Sequence, residues 1–328
     1  MKRVLLRRHG DPADVLELVE EDTGAPGAGD VLIALEAAPV HIADLKNIRG
    51  EETYRLPLPY TPGYEGIGRI VACGPGSDAW RPGDRVFLPV ACQAWRERMV
   101  VPAAGLVAAP AGNAVQLSLL PINPPTALLI LDDFAAHLQP GDWIVQNAAN
   151  SSCGVYLATL ARRRGLRSAN VVRRESLFPL LREAGGDAVL VDGPDLAARV
   201  ARATGGAAIR LGIDAVGGAA TERIASCLAD GGTVLNYGML TGEPCHILPT
   251  TLFQRDIRLL GFWTRRQLLR RSAAEAAAVY AGLAALVADG TLHARIAGVF
   301  PLSRAAEACA LAAKAGDERP GKVILVPG

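Results

Sequence analysis

Over the first 120 residues the apolar positions fall in short runs: Asp30-Val31-Leu32-Ile33-Ala34-Leu35, Gly68-Arg69-Ile70-Val71-Ala72 and Asp84-Arg85-Val86-Phe87-Leu88. Turn-forming pairs separate them, at Pro62-Gly63, Gly74-Pro75-Gly76 and Pro82-Gly83. Runs this short and this closely punctuated predict the strands of a compact β-rich domain, of the kind that closes into a partly open barrel.

The pattern changes at Pro121-Ile122-Asn123-Pro124-Pro125. Thr126 to Leu138 reads as a helix, Trp143 to Gln146 as a strand, Val155 to Arg164 as a helix closed by Gly165, and Ser168 to Val172 as the next strand. Asp187–Val191, Leu211–Val216 and Thr233–Tyr237 continue the strand series with helical stretches between them. Strand and helix alternating at this spacing predict βαβ units on a parallel, doubly wound sheet. The Ala-rich run 273–288 is a helix by propensity, and Gly321 to Val326 reads as a closing strand. The chain is thus an α/β protein: a β domain with a doubly wound domain inserted in it or following it.

Length and composition add limits. The 328 residues suffice for two ordinary domains, and half are hydrophobic while a fifth are charged. Lys and Arg number 34 against 33 Asp and Glu, which leaves no basic excess to suggest nucleic acid as a partner. No window approaches the roughly 20 continuous apolar residues of a membrane span. Met1-Lys2-Arg3-Val4-Leu5-Leu6 runs into a strand and lacks the apolar core of a signal peptide. Cys73, Cys92, Cys153, Cys227, Cys245 and Cys309 are scattered without any CxxC pair, as expected of reduced, cytoplasmic thiols.

The turn between the strand ending at Gln146 and the helix near Val155 carries the first chemical signal. Ala149-Asn150-Ser151-Ser152-Cys153-Gly154 is built of small residues, so that backbone N–H groups and a helix start can reach a pyrophosphate. Ala149 and Ser151 stand where the first two glycines of GxGxxG would be, and Gly154 keeps the third. The next strand ends in Arg173-Arg174, some 24 residues on. A carboxylate there would suit a ribose 2′-hydroxyl; guanidinium forks suit a 2′-phosphate. NADPH is therefore favoured over NADH.

With these residues in place the whole chain resembles the medium-chain dehydrogenase/reductase superfamily, and within it the 2-enoyl thioester reductases. Val145-Gln146-Asn147-Ala148-Ala149-Asn150-Ser151 is similar to the cofactor turn of that branch, and Asn170-Val171-Val172-Arg173 to its 2′-phosphate strand. Tyr237-Gly238-Met239 and Leu260-Gly261-Phe262-Trp263 look like its nicotinamide-side segments. The resemblance implies a GroES-like catalytic domain over 1–122 and 268–328 and a Rossmann domain over 123–267. It implies cofactor contacts from Asn123, Asn150, Ser151, Ser152, Cys153, Gly154, Arg173, Arg174, Tyr237, Met239, Phe262, Trp263 and Lys322. It also implies a homodimer through sheet edges near 245–263.

The family's proton-donor tyrosine follows a Gly and precedes a Leu-Pro stretch. Gly50-Glu51-Glu52-Thr53-Tyr54-Arg55-Leu56-Pro57 matches this, making Tyr54 the candidate, with Tyr60 and Tyr64 as rivals. Three positions depart from the branch. Glu175 replaces the second Arg of an Arg-x-Arg pair, His41 stands where the branch has Asn, and Tyr64 takes the Asn position of the Gly-Tyr64-Glu65-Gly66 turn. His41 and Tyr64 are thus candidates for the substrate side. Catalytic zinc needs three protein ligands, and only His41 offers itself, so no metal is expected. Reduction of an activated C=C by hydride needs no metal: the α-carbon takes a proton from a tyrosine and the enolate oxygen takes hydrogen-bond donors. The expected function is NADPH-dependent reduction of 2-enoyl thioesters, small or carrier-linked. Reduction of quinones or α,β-unsaturated ketones is the nearer alternative, and a non-catalytic NADPH-binding protein the more distant one.

Overall fold

The computed structural model describes residues 1–51, 56–314 and 321–328. The chain forms two compact units, Met1–Ile122 with Ser272–Gly328, and Asn123–Arg271. The first seven strands lie in the first unit: β1 Lys2–Leu6, β2 Leu16–Glu20, β3 Asp30–Pro39, β4 Ile67–Cys73, β5 Arg85–Phe87, β6 Arg98–Pro102 and β7 Val107–Ala108. Six lie in the second unit: β8 Trp143–Gln146, β9 Arg167–Val172, β10 Ala188–Val191, β11 Leu211–Asp214, β12 Thr233–Asn236 and β13 Arg258–Gly261. The chain then returns to the first unit with β14 Ile296–Pro301 and β15 Lys322–Val326.

In the first unit β3 is the organising strand. It pairs antiparallel with β4 on one side and with β6 and β15 on the other, within a sheet ordered β14-β15-β3-β4-β5-β7. Its ten residues run past the predicted end at Leu35, because Ala37 and Ala38 stay fully buried and keep the strand attractive to pack. β1 and β2 form a separate antiparallel pair. Leu6, Ile33, Leu45, Ile48, Ile70, Trp95, Met99 and Leu325 fill the core between these strands and the helix Ile42–Arg49. That helix escapes the hydrophobic pattern; its stop is a left-handed glycine, Gly50 at φ 74°.

In the second unit six parallel strands are ordered β10-β9-β8-β11-β12-β13. This is the doubly wound order, in which the chain reverses direction across the sheet between β8 and β11; ligands bind at the strands' C-terminal ends there. The α/β class and the doubly wound sheet expected from the strand–helix rhythm are both present. The helix Asn123–Phe134 starts three residues before the predicted Thr126, since Pro124 and Pro125 sit in its first turn where a missing N–H costs nothing. The predicted boundary at 267 falls inside the helix Thr264–Leu269, which stays with the second unit. β13 is an edge strand, and all four of its residues are exposed. Among the described residues no helix is long and apolar enough to cross a membrane.

Candidate functional site

The turn after β8 occupies the switch point of the parallel sheet. Asn147, buried at its start, donates from Nδ2 to Asp214 Oδ1 at 2.6 Å, and its Oδ1 accepts from the Ala215 amide at 2.8 Å. The ends of β8 and β11 are thereby locked together by side chains. Ala148 then takes a positive φ of 45°. Gly154 has no substitute here: a Cβ on it would lie 2.5 Å from the Ala149 carbonyl oxygen. Ser151 caps the helix Ser152–Arg163, its Oγ accepting from the Gly154 amide at 3.1 Å. The remaining N–H groups of this first turn have no intrahelical acceptor, which is the physical basis of anion binding at such a turn.

Below the turn, Gln146 donates to Asn170 Oδ1 at 2.7 Å and to the Gly154 carbonyl at 2.9 Å, holding β8, β9 and the helix start in fixed register. β9 delivers Arg173 and Arg174 directly after Val172. Arg173 is exposed, whereas Arg174 is half-buried with an Nε that has no hydrogen-bond partner. A buried guanidinium N–H without an acceptor is costly unless something anionic meets it. The Asn123 Nδ2 atom is buried and unpartnered in the same way. Tyr237, just past β12, hydrogen-bonds toward Cys153 and Ser151; its phenol is pushed well above the ordinary range, by burial first and by Cys153 next.

The structure thus gathers Ser151, Cys153, Gly154 and Tyr237 at one helix start, with Asn150 and Ser152 in the same turn. Phe262 is buried after β13 and meets Phe134 edge-on at 5.9 Å. Trp263 and Met239 are exposed, and the Arg265 guanidinium lies 5.8 Å from the Trp263 ring centre. Lys322 belongs to the first unit. It opens β15 in the first unit, where its charge acts on His41, Asp44 and Glu65.

The first unit carries a second cluster. His41 is the N-cap of the helix Ile42–Arg49, its Nδ1 accepting from the Ala43 amide at 3.2 Å. Asp44, 1 % exposed, accepts from the amides of His41 and Gly63, each at 2.8 Å. Asn47 donates from Nδ2 to the Tyr64 hydroxyl and to the Ala43 carbonyl, each at 3.0 Å. One helix face therefore fixes both the backbone and the phenol of the Gly63-Tyr64 turn, and the Tyr64 and His41 rings lie 5.9 Å apart. Gly63 is required, at φ 116° and with any Cβ placed 2.5 Å from the Ala94 nitrogen.

Burial dominates the electrostatics of this cluster. It moves His41 down to about 3, helped by the Lys322 charge. It moves Asp44 up to about 7, against the pull of the His41 and Gly63 amides. It also raises Glu65, which is fully buried and has neither oxygen in good hydrogen-bond geometry. Sequence reasoning singled out His41 and Tyr64 and missed Asp44, Asn47 and Glu65; the spacing His41-x-x-Asp44 before Gly50, that of a capping box, was the signal that could have found Asp44. Tyr54 lies outside the described residues.

Residues 27–111 match the alcohol dehydrogenase GroES-like domain, and residues 184–325 match the zinc-binding dehydrogenase family. The mitochondrial enoyl-acyl-carrier-protein reductase of Rattus norvegicus is 30 % identical over 309 residues, covering 92 % of this chain and 83 % of the relative. A Bacillus thuringiensis structure assigned as an NADPH:quinone reductase is 25 % identical, with a TM-score of 0.90 over 100 % of this chain and 99 % of the other. A mycobacterial protein solved in complex with NADPH is 26 % identical, with a TM-score of 0.85 over 100 % of both chains. Among the described residues no three His, Cys, Asp or Glu side chains gather as a metal site needs.

Proposed function

The chain belongs to the medium-chain dehydrogenase/reductase family, and from that premise we propose that this oxidoreductase reduces the C=C bond of 2-enoyl thioesters with NADPH. The observation that carries the substrate class is the likeness to an enoyl reductase over 92 % of the chain. The unmet Nε of Arg174, beside the exposed Arg173, supports the cofactor. NADPH, when bound, supplies the hydride that adds to the β-carbon.

In this reading the residues divide the work. The start of the helix Ser152–Arg163 holds the pyrophosphate, with Gly154 leaving room for its close approach. Arg173 and Arg174 hold the 2′-phosphate, and Asn150, Asn123, Tyr237, Met239, Phe262 and Trp263 position the rest of the cofactor. Lys322 acts through its charge on the His41 and Asp44 cluster. Tyr54 donates the proton to the α-carbon; a phenol of ordinary pKa about 10 stays protonated at neutral pH. Edge strand β13, with Leu259 and Leu260 both exposed, is the edge through which two copies would join. None of the six cysteines is in a disulfide, as a reducing compartment such as the cytoplasm allows.

Quinone reduction is the second reading, favoured by the TM-score of 0.90 to the Bacillus thuringiensis structure. NADPH consumption with trans-2-enoyl-CoA substrates of short and medium chain, beside a quinone control, separates the two. Steady oxidation with the thioesters supports the proposal; oxidation with quinone alone overturns it.

A further inference from the structure

We propose that His41 is a neutral hydrogen-bond donor, using its Nε2–H to hold a substrate carbonyl oxygen on which negative charge builds. The inference rests on the reductase reading for the identity of that oxygen, but its geometry stands without it. The Ala43 backbone nitrogen can only donate, so the Nδ1 atom that it meets at 3.2 Å must present a lone pair. In an uncharged imidazole the proton then belongs to Nε2. Protonating Nδ1 would set one N–H against another at the start of a helix, where the backbone already presents positive partial charge. The cap thus selects both the charge state and the tautomer.

The surroundings agree. The titratable and charged groups acting in this cluster are Asp44 on the same helix, Tyr60, Tyr64 and Glu65 on the segment before β4, and Lys322 at the start of β15. Of these, Lys322 acts on the imidazole and opposes a positive charge on it, in the same direction as burial. The Asp44 carboxylate meets the His41 backbone N–H, not its ring. Among the described residues the hydrogen bond of the ring is the one at Nδ1, which leaves Nε2 open, and the residue is only partly buried. A rigid, uncharged donor is thereby held with its N–H available, and the adjoining Tyr64 ring, 5.9 Å away, walls one side. An N–H fixed in advance needs no reorganisation as an oxyanion forms. A permanently charged donor would instead bind anions indiscriminately.

Two variants and one spectrum test this. His41→Ser keeps a cap for the Ala43 amide and removes the donor; His41→Asn keeps both. We expect His41→Ser to lower kcat about 10²–10³-fold with KM changed far less. His41→Asn should recover most of that loss, and both variants should bind NADPH with affinity within about twofold of wild type. In ¹⁵N spectra of the wild-type protein without substrate, the His41 ring should be protonated at Nε2 alone and should not titrate between pH 5 and 8. A ring that titrates near 6.5, or that carries its proton on Nδ1, overturns the inference, as does full kcat in His41→Ser. The spectrum needs no substrate, so a protein that fails to reduce enoyl thioesters would defeat the reductase reading while the His41 result remained independent.

Discussion

The cofactor turn of the second unit and the buried cluster of the first are built on opposite plans. The turn uses small residues and backbone: its polar side chains, Asn147, Gln146 and Ser151, spend their hydrogen bonds tying β8, β9 and β11 to one helix start. The cluster uses ionisable side chains stripped of water, and Asn47 Oδ1, Tyr60 Oη and both Glu65 oxygens lack partners. The first plan suits holding a fixed anion, because the fixed turn leaves backbone N–H groups at the helix start to meet it. The second suits chemistry on a passing substrate, because unmet groups and shifted pKa values supply donors and protons.

The comparison can be broken at several points. The largest effect is expected from Tyr54→Phe. Turnover of an enoyl thioester should fall about 10²–10⁴-fold, as for loss of a general acid, while NADPH affinity, measured by fluorescence titration, stays near wild type. An unchanged rate would transfer the role to Tyr60 or Tyr64.

Next come a glycine without room for a side chain, Gly63, and the half-buried Arg174. Gly63→Ala should cost about 3 kcal/mol of stability, from left-handed strain together with the clash at Ala94. Urea unfolding reads this, and a loss under 1 kcal/mol would show that the Gly63-Tyr64 turn is not rigid. Arg174→Ala should weaken NADPH by about 1.5–3 kcal/mol, the range for a hydrogen bond to a charged group, and leave NADH binding alone. Equal weakening of both cofactors would refute the 2′-phosphate role.

The smallest effect concerns pH. Glu65 and Asp44 both have folded-state pKa values raised by burial above their unfolded values. Their favourable contribution is complete below the unfolded values, near 4, and is lost as pH rises through the folded ones, about 7 for Asp44. Thermal midpoints should therefore decline between pH 5 and 8, and Glu65→Gln should decline by a few degrees less. An identical slope would mean that Glu65 does not carry a buried proton.

The same contrast explains what was readable beforehand. β8 with its turn, and β9 ending at Val172, were legible because a parallel strand buried on both faces leaves a continuous apolar run and a small-residue turn. Trp143–Gln146 matches its predicted span to the residue, and so does the Ala-rich helix Ala273–Ala288. The helix Ile42–Arg49 was not legible. Its face toward the core includes Asp44 and Asn47, polar residues that look like surface positions until a tertiary partner, the Gly63-Tyr64 turn, is supplied. Glu65 was passed over for the same reason: nothing local marks a carboxylate for full burial. His41 was noticed as a departure, yet its role as a cap depends on a ring nitrogen folding back on its own helix.

Isotope transfer tests the central claim most directly. NADPH deuterated at nicotinamide C4 would be oxidised with trans-2-enoyl-CoA in ordinary water, and the product examined by mass spectrometry and ²H NMR. Deuterium on the β-carbon, with the α-hydrogen drawn from solvent, is the predicted result. Unreacted thioester beside rapid reduction of a quinone would contradict it.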